Sequence, residues 1–450
     1  MRDRSSSNLP SLQRRDLLQG LLAGLAVGCS VSDREPTDRP QGAGNDTKPG
    51  PMFDAQPTPP EPAPPEPVDP EVAMDIGKRN GEFAFDFYGQ LGKQPGNLVY
   101  SPASIALAFA MVHAGAKGKT AAEIAKVFHL EGDTAKLQAG LADAVRRWQS
   151  SKEGLELAVA NRLFGEATTP FEKAYLALTD RVFQAPLEPV DYKNAHEAAR
   201  ARINAWVVER THDRIRDLVP EGGVDPSTRL VLVNAIYFKG AWEEPFSESA
   251  TKPGDFFAPK GKTTASFMRA SRYFHSGVVK SEGLQWAELP YQNGPYAMTI
   301  VLPDARDGLA KIEAGLSEAK VRGWLAGTDY RRLDLRLPKF KIEPGDPLQL
   351  SRLLGALGLS TPFGGNADFT GMAPASEQIQ LAEAFHKAFI AVDEKGTEAA
   401  AATAVSMRAG AAAPTDEPIP FVVDRPFLFL LRDTSSGAIL FMGRVESPKA

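Results

Sequence analysis

Few residues in this 450-residue chain have the type and spacing to do chemistry, and what they exclude is as informative as what they allow. The one cysteine, Cys29, excludes an internal disulfide framework and a cysteine-based zinc site. Six histidines are scattered without metal-ligand spacing. No HExxH, glycine-rich phosphate loop or GxSxG occurs, so the motifs of zinc proteases, nucleotide enzymes and serine hydrolases are missing. No cofactor is implied. A net charge of -5 is not the basic balance of a nucleic-acid binder.

What Cys29 can do is carry a lipid. It closes Leu25-Ala26-Val27-Gly28-Cys29, which has the form of a bacterial lipoprotein processing site, with cleavage before Cys29 and a lipid on its sulfur. Upstream, Arg14-Arg15 precedes an apolar run over residues 17–27 that is too short to span a bilayer and resembles the core of a twin-arginine export signal. Ala26 stands where leucine is more usual, so the alternative is a plain signal peptide that contains a cysteine. Residues 1–28 are therefore expected to be a signal, and the protein to be exported as a cell-envelope lipoprotein or to the extracellular space. Residues 29–72 form a linker. Its proline run at 57–67 offers few backbone donors and almost nothing to bury, so it is either an extended spacer or a disordered tail.

Globular pattern begins near Val72 and continues without a second linker or an internal repeat, giving a domain over residues 73–450. With 43% hydrophobic residues it can bury a large core. Ser101-Pro102 is a helix start before an apolar run at 105–113. Ile203, Trp206, Val207, Thr211 and Ile215 recur at helical spacing and predict an amphipathic helix over residues 199–218. Residues 230–238 are a continuous apolar β-rich run, expected as a strand buried on both faces. Further strands are predicted at 296–302, 333–337, 388–392, 427–431 and 439–445. Helices dominate early and strands late, so the class is α+β around a large mixed sheet. Residues 399–404 read by propensity alone as an alanine-rich helix or a flexible linker.

Seven stretches taken together resemble the serpin family: NLVYSPASI at 97–105, LVLVNAIYFKGAW at 230–242, ELPY at 288–291, HKAF at 386–389, VDEKGTEAAAAT at 392–403, DRPFLF at 424–429 and LFMGRV at 440–445. The chain looks like a bacterial lipoprotein-like member of that family. The resemblance implies about nine helices and three β-sheets, with a reactive loop exposed near the C-terminus at about 394–420. It also implies a serine-protease inhibitor, not an enzyme. A protease cuts the loop, forms an acyl-enzyme, and is carried away as the loop inserts into the central sheet. The alternative is a non-inhibitory serpin-fold binding protein.

The family's register assigns a hinge from Glu394 and Gly396 through Thr397, Glu398, Ala399, Ala400, Ala401, Ala402 and Thr403. Inserted as a strand, Thr397, Ala399, Ala401, Thr403 and Val405 would face the core and Glu398 would face outward. The core-facing set holds no charge and no proline, either of which would oppose insertion. Gly396 would supply backbone freedom. Counting forward from Glu394 places the cleaved bond between Gly410 and Ala411, with Ala409, Arg408 and Met407 as alternatives. Counting backward from Arg425-Pro426-Phe427 places it near Thr415-Asp416. Small residues around Gly410 suit an elastase-like or subtilisin-like protease, Arg408 a trypsin-like one and Met407 a chymotrypsin-like one. The partners expected are thus a target serine protease and, through Cys29, a membrane. No nucleic acid is expected, and the protein is read as a monomer.

The resemblance also places Ser104, Asn234 and His386 together beneath the opening of the sheet. They are read as a polar cluster that rearranges when strands part, not as a catalytic triad. Glu394 is expected to approach Lys339, and Trp242 to pack where the loop enters. One departure stands out. The family often has glycine-lysine before the isoleucine that here follows Asp213-Arg214, a change expected to touch the helix end over the sheet and not the bait.

Overall fold

Why the fold starts where it does is visible at Asp69. Its carboxylate accepts a hydrogen bond from the Glu71 amide at 2.9 Å, and Pro70 occupies the first turn of helix α1 (Pro70–Leu91). The last residues of the stretch read as linker therefore belong to the helix. In the computed structural model, residues 68–343, 345–398 and 416–449 are described. Cys29 lies outside them, as do Ala399, Ala400, Ala401, Ala402, Thr403, Met407, Arg408, Ala409, Gly410 and Ala411.

Among the described residues there are nine α-helices. Helix α1 buries Phe83, Phe87 and Leu91, spaced by one turn. Helix α2 (Pro102–His113) begins as its sequence predicts: the Ser101 hydroxyl accepts from the Ser104 amide at 3.1 Å. Helix α3 (Tyr192–Arg210) ends eight residues before the predicted limit at Leu218. Thr211 stops it. Its hydroxyl donates to the Val207 carbonyl at 2.7 Å and accepts from the Ile215 amide at 3.1 Å, so a side chain competes for the helix's own partners. His212 and Asp213 then turn left-handed, with φ of 47° and 65°. Arg214 is thereby carried off the helix and onto the sheet.

Eight strands position the site: β1 (Leu155–Glu166), β2 (Leu230–Ala241), β3 (Gly261–Val279), β4 (Asp329–Pro338), β5 (Glu383–Ala388), β6 (Ile390–Val392), β7 (Gly396–Thr397) and β8 (Ile419–Val422). In the central sheet β2 is antiparallel to β1 along nearly its whole length and parallel to β5 at its lower end, where Asn234 pairs with His386. Burial on both faces explains its unbroken apolar run. The single strand predicted over 388–392 is instead divided at Phe389. Above that break β6 no longer pairs with β2. The two-residue strand β7 lies between them, with Thr397 opposite both Val392 and Gly240. The central strands are thus closed below and parted above.

The expected three sheets form two hydrogen-bonded networks, because β3 serves in two layers. At 19 residues it pairs with β4 through its middle and with the strand Leu284–Pro290 at its end. The predicted strands late in the chain are present as Tyr296–Pro303, Phe427–Asp433 and Ile439–Val445. The expected α+β class and nine helices are both observed among the described residues.

Candidate functional site

The candidate site is the gap at the top of the central sheet. Gly396 fits there because of space, not the freedom expected of it. A Cβ at this position would lie 1.9 Å from the Gly240 carbonyl oxygen, and its φ of 159° is close to ordinary extended backbone. Only a residue without a side chain lets β7 approach β2 this closely. Thr397 follows, 1% exposed, its hydroxyl 2.5 Å from the Tyr291 phenol. Tyr291 stacks on Trp242 with ring centres 4.5 Å apart. Trp242 ties the hinge down twice: its indole donates to the Asp393 carbonyl at 2.9 Å and its amide to the Lys395 carbonyl at 3.0 Å.

Glu398 ends the short strand. Its amide still donates to the Ala391 carbonyl at 2.8 Å, but its φ of 48° turns the chain out of the sheet. Its side chain lies on the face opposite Thr397, as the alternation requires, yet outward here does not mean into solvent. The carboxylate is buried and accepts a hydrogen bond from Arg214. Burial pushes its pKa up, and the Arg214 guanidinium opposes that rise. The Asp213-Arg214 departure, expected at the helix end over the sheet, thus also reaches the hinge.

Glu394 anchors the base. Its carboxylate is 2.9 Å from the Lys339 ammonium and accepts from the Thr251 hydroxyl at 2.8 Å. Burial alone would raise its pKa; the hydrogen bonds from Lys339 and Thr251 outweigh it and hold the group below its ordinary value.

Lower in the sheet, Ser104, Asn234 and His386 meet, all without exposed surface. A fourth member, Asn161 on β1, joins them. The Ser104 hydroxyl donates to the Asn161 side-chain oxygen at 3.0 Å, and the Asn234 amide nitrogen reaches Ser104 Oγ at 2.7 Å and Asn161 Oδ1 at 2.6 Å. His386 Nε2 accepts from the Ser101 amide at 3.1 Å, which leaves Nδ1 to donate to Asn234 Oδ1. Burial lowers the imidazole pKa to about 3, so the ring is neutral at physiological pH. The serine proton points to an amide oxygen, not to the imidazole. This is a saturated polar clasp between α2, β1, β2 and β5, not a nucleophile with its base. Nothing had singled out Asn161. A polar, poor strand former inside the run LELAVANRLF was the available signal.

The far end of the loop is also fixed. The Asp416 carboxylate accepts from the Tyr273 phenol at 2.8 Å, and its carbonyl accepts from Arg332 at 2.8 Å. Three residues on, β8 pairs parallel with β4, Ile419 opposite Leu333. Glu398 and Asp416, the described residues on either side of 399–415, are thus both held, one at the gap and one on the neighbouring sheet. Among the described residues no group of His, Cys, Asp and Glu is arranged to hold a metal ion.

Comparison with known proteins agrees with this geometry. Residues 78–448 match the family described as serpin (serine protease inhibitor). Human Serpin B3 is 37% identical over 392 residues, covering 83% of this chain and 99% of that protein. Leukocyte elastase inhibitor from pig (Sus scrofa) is 39% identical over 385 residues, covering 82% and 98%. The crystal structure of uncleaved ovalbumin superposes with a TM-score of 0.76 at 30% identity, over 83% of this chain and 100% of ovalbumin.

Proposed function

The chain belongs to the serpin family, and on that premise we propose that it inhibits serine proteases by trapping them, its reactive segment inserting into the central sheet after cleavage. The protease serine attacks the carbonyl carbon of Gly410, the bond to the Ala411 nitrogen breaks, and the enzyme is left as an ester on Gly410. Freed at its C-terminal end, the segment following Thr397 adds to the sheet between β2 and the successive strands β5 and β6, and the attached enzyme is carried with it.

One observation carries this reading: β7 is already the first rung of that strand, seated between β2 and β6 with its neighbours parted for it. Insertion beyond these two residues must part β2 from β5, which pair from Val231 and Glu383 up to Ile236 and Ala388. The placement of the bond after Gly410 is supported by Asp416. Held to Tyr273 and Arg332, it is a poor candidate for a protease cleft, which disfavours the backward count. Small residues near Gly410 favour an elastase-like or subtilisin-like target, and a relative named leukocyte elastase inhibitor fits that preference. We read the protein further as exported and tethered through a lipid on Cys29, on the strength of its first 29 residues alone.

The test is to mix the full chain separately with pancreatic elastase, subtilisin, trypsin and chymotrypsin. A complex that survives boiling in detergent, with a released peptide beginning at Ala411, is expected with at least one. Cutting by all four with no complex would favour the binding-protein reading.

A further inference from the structure

Beside the fixed end of the loop lies a surface that the trapping reaction leaves unused. Tyr330 on β4 is 64% exposed, the most exposed large apolar side chain among the described residues. It stacks on Tyr273 of β3, ring centres 5.4 Å apart and planes 22° apart, and His275 lies 5.1 Å from the same ring. The strand register explains the cluster. Tyr273 pairs with Arg332 and His275 with Tyr330, so all three rings share one face. Tyr273 is held in place by its bond to Asp416, so the platform is rigid before anything binds. Facing it across a cleft of about 380 Å³ are the exposed carboxylates Glu243 and Glu244. The neighbouring cations are engaged: Arg272 lies 3.6 Å from Glu244 and over the ring of Phe274, and Arg332 bonds the Asp416 carbonyl.

Holding Asp416 explains Tyr273, but not Tyr330, which leaves 64% of its surface exposed. Tyrosines are enriched where protein interfaces concentrate their energy. Aromatic faces opposite carboxylates form a receptor for a lysine or arginine side chain. The position says whose. Asp416 is five residues beyond Ala411, a reach of about 17 Å in extended chain. A protease of about 230 residues has a radius of gyration of about 17 Å. An enzyme seated on the bond after Gly410 is therefore within reach of this platform.

We infer that Tyr273, Tyr330, Glu243 and Glu244 form a second contact surface for the target protease, receiving a basic side chain from a surface loop beside its active-site cleft. This rests on the reading that residues 399–415 bait a protease, and the two are separable by experiment. The rate at which the loop is cut reports on the surface, whether cutting ends in trapping or release. The fraction trapped reports on inhibition.

The full chain and its variants are mixed with whichever of pancreatic elastase, subtilisin, trypsin and chymotrypsin cuts the loop fastest. Tyr330→Ala should slow cutting at least about tenfold with the trapped fraction unchanged. The double variant Glu243→Gln, Glu244→Gln should slow it and flatten its dependence on salt. Met74→Ala, an exposed apolar side chain on α1, should change nothing. Rates for the Tyr330 and double-glutamate variants within about twofold of the parent would overturn the surface. Loss of trapping with the rate differences intact would overturn inhibition and leave the surface standing.

Discussion

Arg214 and Glu398 meet at the mouth of the central sheet, the guanidinium of the first hydrogen-bonded to the buried carboxylate of the second. Glu398 is where the inserted strand stops. Its left-handed backbone turns the chain outward, and a residue with a side chain holds such a conformation only when its surroundings fix it. Arg214 is part of what fixes it, and continued insertion must release that contact.

The first prediction follows from this pair. Burial holds the folded-state pKa of Glu398 above its unfolded value, so the fold favours the neutral carboxyl. The stability this group contributes is present below the ordinary carboxylate range and lost as pH rises through the raised value. Arg214→Ala removes the opposing guanidinium and widens that loss. The variant should be about 1 kcal/mol less stable at pH 8 and nearly equal to the parent at pH 4, by thermal unfolding at both. A deficit that does not change with pH would count against the pair.

The second concerns the first rung. Thr397→Arg puts a charge where 1% of the residue is exposed, between Tyr291 and the Gly240 backbone. An unpaired buried charge costs several kcal/mol. Protease should still cut this variant but escape, and the amount of inhibitor consumed per enzyme trapped should rise at least about tenfold. Gly396→Ala should act in the same direction, because its methyl meets backbone that cannot move without breaking β2. Titrating residual protease activity against added inhibitor gives both values.

The third is a dependence on acid. His386 has a folded pKa lowered to about 3 from 6.5 by burial, so the unfolded chain takes up the proton first. Its contribution is complete above pH 6.5 and falls as pH drops toward 3, by about 1.4 kcal/mol per unit. Between pH 7 and pH 5 the parent should lose about 2 kcal/mol more than His386→Gln, measured by urea unfolding.

The fourth concerns Asn161. Asn161→Leu leaves the buried Ser104 hydroxyl proton and one donor bond of the buried Asn234 without a partner. An unmet buried polar group costs about 1–3 kcal/mol. Urea unfolding of this variant should show that loss, with the far-ultraviolet circular dichroism of the folded state unchanged.

Much of this was legible in sequence where a residue's own chemistry decides its neighbours. Ser101-Pro102 capped a helix as read, and the apolar run of β2 was a strand buried on both faces, because each depends on local rules. Contacts between distant segments could be placed only through family likeness, as with Glu394 and Lys339. Where neither rule nor likeness applied, the reading failed. The helix predicted to Leu218 ended at Arg210, since Thr211 has the helical spacing of a core residue but uses its hydroxyl to close the helix. That single stop redirected Arg214 to Glu398. The strand at 388–392 broke at Phe389 because its upper half pairs with a hinge whose location no periodicity reveals. Asn161 carries no local signal of its role, because its partners Ser104 and Asn234 come from distant segments.

The claim that the cut segment becomes a strand between β2 and β6 is tested most directly by heat. The full chain is cut at any bond within residues 399–415 and its unfolding temperature compared with that of the intact chain. Insertion adds a full strand to the central sheet, so the cut protein should unfold at a temperature higher by at least about 10 °C. A cut protein that unfolds at the same temperature or lower would show that the gap above Asn234 holds two residues and accepts no more.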